Sequence, residues 1–169
     1  MTKIGGAGIR RLAIATAGAA LLVAGSAVSA LADDAHPFAR YLGTWKGSGR
    51  IESVKGEERP MRCTATCDDS EGGKALAQSI RCEGPNFKFQ VENYIVANGN
   101  DVIGNWRELT QQVTGSVTGQ IQGNLFVGKI SAPAVTASVL MRADQRSQAL
   151  RIVPQGVEIA KIEIVMKHD

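Results

Sequence analysis

The sequence predicts an all-β protein, a single antiparallel up-and-down β-barrel of about ten strands, and three observations carry that expectation. From Thr44 onward apolar and polar residues alternate with period two and not 3.6. Turn-forming clusters ("VKGEE", "DDSEGG", "EGP", "NGN", "GN", "SAP", "ADQRS" and "PQG") interrupt the alternation at short intervals. No linker is long enough for the crossover connections that the alternative, a β-sandwich, normally needs.

Taken in order, the chain of 169 residues opens on a leader. "MTKIGGAGIRR" carries Lys3, Arg10 and Arg11, the apolar "LAIATAGAALLVAGSAV" follows, and "SALA" precedes Asp33 and Asp34. This pattern reads as a secretory signal peptide over residues 1–32, with Ala30 and Ala32 as the small residues of the cleavage site. Cleavage after Ala32 directs the protein to the periplasm or the extracellular space and leaves 137 of the 169 residues, enough for one domain. The 17-residue apolar run is rich in Ala and Gly and marginal for a bilayer core of about 30 Å, so no membrane span is expected in the mature chain. The leader also holds three of the 19 Lys and Arg, so 16 remain against 16 Asp and Glu. A neutral mature chain is no basis for a nucleic-acid partner.

Residues 33–43 form an N-terminal segment with a short helical turn near Pro37 to Leu42, and the barrel occupies 44–167. Strands are expected at 44–54, 59–67, 74–82, 86–96, 101–109, 112–122, 125–131, 134–142, 147–153 and 157–166. Three hairpins supply a register. A turn at Gly72 and Gly73 sets Cys63 opposite Cys82; one at Asn98 and Gly99 sets Val91 opposite Trp106 and Glu108 opposite Phe89; one at Gly123 and Asn124 sets Ile121 opposite Phe126. Each puts apolar residues on one common face.

That inward face mixes bulky residues (Trp45, Phe87, Phe89, Val91, Trp106 and Phe126) with small ones (Gly47, Gly49, Gly104, Gly115, Gly119, Gly128 and Ala137). The glycines either make room for the rings in a filled interior or leave a pocket.

An oxidising compartment favours a disulfide between Cys63 and Cys82, with a bulge in "SEGG" adjusting the pair. Cys67 lies too far along the same strand to bridge Cys63, and is read as a free, buried thiol facing Gln78. "CTATC" is not a zinc spacing, and no metal site is expected.

No nucleophile motif, metal-protease motif or phosphate loop occurs, and His36 and His168 stand apart from any such group, so the chain is expected not to be an enzyme. Two charged residues count as inward candidates, Glu108 and Arg151, for orienting a polar head or capping a barrel end.

"GTWKGSG" at 43–49, after "PFARYL", resembles the first strand of lipocalin-like (calycin) barrels, with Gly43 and Trp45 in the G-x-W positions. The longer spacing through Gly47 and Gly49 is similar to nitrobindin-type barrels of ten strands. The lipocalin resemblance implies that Trp45 closes one end, stacked with an Arg from a late strand, a part that Arg151 could play. The nitrobindin resemblance implies haem on a His near the C-terminus, where "MKHD" offers His168 beyond the expected last strand; otherwise no cofactor is expected. The run from "RC" at 62 through "GNWRELTQQVTGSVTG" is similar to small exported alphaproteobacterial proteins, a likeness that implies export and no activity.

The expected function is therefore a non-enzymatic periplasmic or secreted barrel binding a small, mostly apolar molecule, with Trp45, Phe87, Phe89, Val91, Trp106, Phe126, Glu108 and Arg151 as interior ligand residues. The alternative is a solid-core structural or protein-interaction module of the envelope, whose partner nothing in the sequence names.

Overall fold

A computed structural model describes residues 36–169; the expected signal peptide, the expected cleavage after Ala32 and residues 33–35 lie outside the described residues. Ten antiparallel strands follow: β1 (Gly43–Ser53), β2 (Glu58–Ser70), β3 (Ala75–Gly84), β4 (Phe87–Asn98), β5 (Asp101–Glu108), β6 (Val113–Gln122), β7 (Leu125–Ala132), β8 (Val135–Ala143), β9 (Ser147–Gln155) and β10 (Ile159–His168). Each pairs with its sequence neighbours, and β1 pairs with β10, so the sheet closes into an up-and-down barrel. Closure leaves no unpaired edge. Among the described residues no helix is long and apolar enough to cross a membrane.

Period-two alternation becomes one continuous inner wall, because paired residues point to the same side of a sheet. The inward row Trp45, Gly47, Gly49 and Ile51 of β1 faces Ala65, Cys63, Met61 and Arg59 of β2 and His168, Met166, Ile164 and Ile162 of β10. The expected Cys63–Cys82 and Ile121–Phe126 pairings are present.

The β4–β5 hairpin differs by two residues from the expectation. Asn93 faces Trp106, Val91 faces Glu108, and Asn98 faces Asp101. The turn is therefore Gly99–Asn100, with positive φ at Gly99 (60°), and the β6–β7 turn repeats it with Gly123 (59°) before Asn124. A positive φ at the first central residue alone suits Gly there, the preference of a type II′ hairpin. A slip of two residues changes partners but not faces, so the inward set survives it.

The β2–β3 connection is a short 3-10 turn, Glu71–Gly73, and not a bulge. Cys63 and Cys82 are bonded, with Cα atoms 4.2 Å apart. That spacing belongs to a pair between ladder hydrogen bonds, so the longer turn changes the phase of the ladder while keeping its register.

The two ends of the barrel differ. At one end Pro37 to Tyr41 form a turn that seats Phe38 and Tyr41, both 2% exposed, on the interior. Trp45, at 1%, donates its Nε1–H to the Tyr41 carbonyl at 2.9 Å, and the Tyr41 hydroxyl reaches the Met141 carbonyl at 3.5 Å. Leu76, Val102, Ala143, Gln148 and Met166 complete this closed end. Toward the other end the inward residues Phe87, Phe89, Val113, Ile130, Ile152 and Ile162 are only half-buried. That end is the mouth.

Candidate functional site

The interior holds a cavity of about 490 Å3. Phe38 and Tyr41 form its floor, and its walls come from inward residues of the strands, among them Ile51, Ile80, Val117, Phe126, Leu150 and Ile164. The volume lies within the roughly 300–1,000 Å3 typical of small-molecule sites. A solid core is therefore not what fills this barrel.

Why the middle stays open follows from where the rings lie. A methyl on Gly115 would come within 2.5 Å of Trp106 Nε1, and one on Gly119 within 2.8 Å of the Phe126 ring, which also covers Gly128. Each ring is laid over a glycine of the wall instead of projecting across the lumen. The glycines accommodate the aromatic rings, and a pocket remains as well; the two expected roles hold together.

Six of the expected interior residues line the cavity: Phe87, Phe89, Val91, Trp106, Phe126 and Glu108. Trp45 does not. It is packed in the closed end beneath Tyr41, where no ligand surface is left to it. Arg151 must also be corrected. Leu150 and Ile152 on either side of it point inward, so it points out, and its guanidinium lies 3.7 Å from Glu163 on the outer surface. The aromatic partner of Trp45 is instead His168, edge-on with ring centroids 4.8 Å apart.

Glu108 is inward at the mouth, opposite Val91, yet it does not present a free carboxylate. Its oxygens accept the backbone N–H of Thr110 at 2.9 Å, of Gln111 at 2.5 Å and of Gln90 at 3.3 Å. Partial burial pushes its pKa up, but the N–H groups of Gln111, Thr110 and Gln90 outweigh it and hold the carboxyl below its ordinary value. Glu108 is the clasp of the β5–β6 turn.

Polar groups inside the wall form one chain. Asn93 donates to Gln78 Oε1 at 2.8 Å, and Gln78 donates to Cys67 Sγ at 3.2 Å. Cys67 is free and 1% exposed, and burial pushes its thiol up to about 11; Gln148 lies beside it, short of hydrogen-bond geometry. A thiol held protonated this way is a weak nucleophile.

A larger hollow of about 730 Å3 lies on the outside of β3 to β6, with Tyr94, Asn105, Thr114 and Ser116 in its walls. It is wide and shallow, many of its lining residues are polar, and its Arg107 is already paired with Glu92 at 2.6 Å. The deeper apolar cavity is the better candidate. His168, the residue a nitrobindin-type haem would need, is exposed at the closed end and outside the cavity wall, so the interior does not fit a haem held from that position. Among the described residues no cluster of metal-ligating side chains occurs.

Comparison with known proteins supports the architecture. No family model matches the sequence, and no curated protein matches it. The fold is similar to the crystal structure of Rv2717c from M. tuberculosis, with a TM-score of 0.61 and 14% identity over 79% of this chain and 95% of that one. It is also similar to the S-type phycobiliprotein lyase CPES from Guillardia theta, with a TM-score of 0.49 and 14% identity over 77% of this chain and 88% of that one. The likeness to Rv2717c supports the fold alone, a closed ten-stranded antiparallel meander. The expectation that the chain is not an enzyme is withdrawn, because the lack of a nucleophile or metal-protease motif is no ground for excluding catalysis in a barrel. At a TM-score of 0.49 the likeness to the lyase assigns no activity here.

Proposed function

We propose that this protein is exported to the periplasm or beyond and binds a small, mostly apolar molecule inside its barrel. One observation carries the reading: a cavity of about 490 Å3 with a sealed floor, an open mouth and walls that are mostly aliphatic and aromatic. Such a surface left to water is unfavourable, and an apolar occupant relieves it. Phe87, Phe89, Val91, Trp106 and Phe126 are the proposed contact residues. The Cys63–Cys82 bridge supports an oxidising destination.

Native mass spectrometry of protein purified from its own envelope, followed by displacement of a fluorescent fatty acid with a panel of lipids and isoprenoids, tests the proposal. Co-purifying mass and displacement at micromolar concentration are expected; neither, across the panel, would refute it.

A further inference from the structure

Among the described residues that line the cavity three are charged: Arg59, Lys88 and Glu108. The Glu108 carboxylate is taken up by backbone N–H groups of its own turn and by Gln90. Lys88 lies between the inward Phe87 and Phe89, so its side chain leaves β4 on the outer face, where Glu83 is its partner across the strand pair, with no ion pair within 4.0 Å among the described residues. Arg59 differs from both. It is the outermost inward residue of β2, facing Ile51 across the pair, so its side chain stands at the mouth.

The carboxylates nearest in the strands are engaged elsewhere. Glu58 pairs with Arg50 at 3.4 Å, and Glu52 pairs with Lys161 at 2.9 Å. Among the described residues Arg59 forms no ion pair within 4.0 Å. Its guanidinium carbon instead stands 5.5 Å from the centroid of the Phe87 ring, which itself lines the cavity. Stacking on an aromatic face holds the planar group while leaving its N–H edge free to donate, the arrangement that suits a bidentate oxyanion.

We propose that the occupant of the cavity is an amphipathic anion, with its apolar tail in the barrel and a single oxyanion head on Arg59 at the mouth. This rests on the ligand-binding reading above and adds the class of ligand. Among the described residues the one other cation lining the cavity, Lys88, also lies at the mouth, between Phe87 and Phe89, so the charged end stays at the rim and the tail enters first.

The test compares dodecanoate, dodecyl phosphate and dodecanol as competitors of a bound fluorescent probe, against wild type and the Arg59→Gln and Arg59→Lys variants. At least one anion should bind about tenfold more tightly than dodecanol to wild type. Arg59→Gln should erase that advantage and leave dodecanol unchanged, while Arg59→Lys keeps part of it. The order of the two anions reports whether a carboxylate or a phosphate head is preferred, and either order supports the proposal. Equal binding of anions and alcohol, unmoved by Arg59→Gln, would overturn it while the cavity reading stands. Failure of all three to bind removes the cavity reading and this proposal with it. Unchanged circular dichroism of both variants shows that folding is not the cause, since Arg59 is exposed.

Discussion

Trp45 and His168 face one another across the seam between β1 and β10, their rings edge-on with centroids 4.8 Å apart. The seam is where the first and last strands close the barrel, and Trp45 is tied to the N-terminal turn by donating its Nε1–H to the Tyr41 carbonyl. Trp45→Ala should cost roughly 3–5 kcal/mol, because a buried ring is lost and the closed end has no side chain to fill the space. His168→Ala, at the exposed side of the contact, should cost about 1 kcal/mol or less. Urea unfolding measures both; equal effects would show that the seam is not anchored as described.

The disulfide should contribute roughly 3 kcal/mol in the chain-entropy model, since its cysteines are 19 residues apart. The double variant Cys63→Ser with Cys82→Ser should unfold at lower urea concentration but keep its sheet content, because the β2–β3 ladder runs from Arg62–Glu83 to Ser70–Ala75 without it. Loss of all sheet signal would mean the bridge is needed to form the fold.

Cys67 should make the protein weaken in alkali. Its thiol titrates near 11 when folded against 9.0 when free, so the folded state holds its proton more tightly. That stability is complete below about pH 9, where both states are protonated, and is lost as pH rises toward 11, where only the unfolded chain has released its proton. The difference corresponds to roughly 2–3 kcal/mol. Cys67→Ala should show a shallower decline over that window in stability measured against pH, and native Cys67 should react slowly with iodoacetamide at pH 8 until denaturant is added.

Val91 offers a way to close the cavity without disturbing the shell. It is half-buried, points inward and lines the lumen. Val91→Trp should fill part of the space and weaken binding of the fluorescent fatty acid at least tenfold, with stability changed by about 1 kcal/mol or less because the added ring meets empty volume and not packed atoms. Undiminished binding would place the ligand elsewhere.

How far the sequence reached can be judged at particular residues. Two-residue alternation is a local property, and it settled the all-β class, the strand limits to within a few residues, and the inward set that includes Phe89, Trp106 and Phe126. It also contained the outward position of Arg151, since Leu150 and Ile152 are its neighbours; its reading as an inward candidate and the lipocalin resemblance both pointed the wrong way. The Gly-Asn pair at 99–100 was legible too, as the repeat of Gly123–Asn124.

Other features had no local signal. The partnership of Trp45 with His168 joins opposite ends of the chain and exists only once the barrel closes. The taking up of Glu108 by three N–H groups depends on the path of a turn and of β4 beside it. Whether the lumen is full depends on each ring finding a glycine on the same or the next strand to lie against, as Trp106 finds Gly115 and Phe126 finds Gly119 and Gly128. Composition counts those groups but does not orient them. Alternation alone determined which residues face in; closure of the sheet decided which of them touch, and so left the space in the middle.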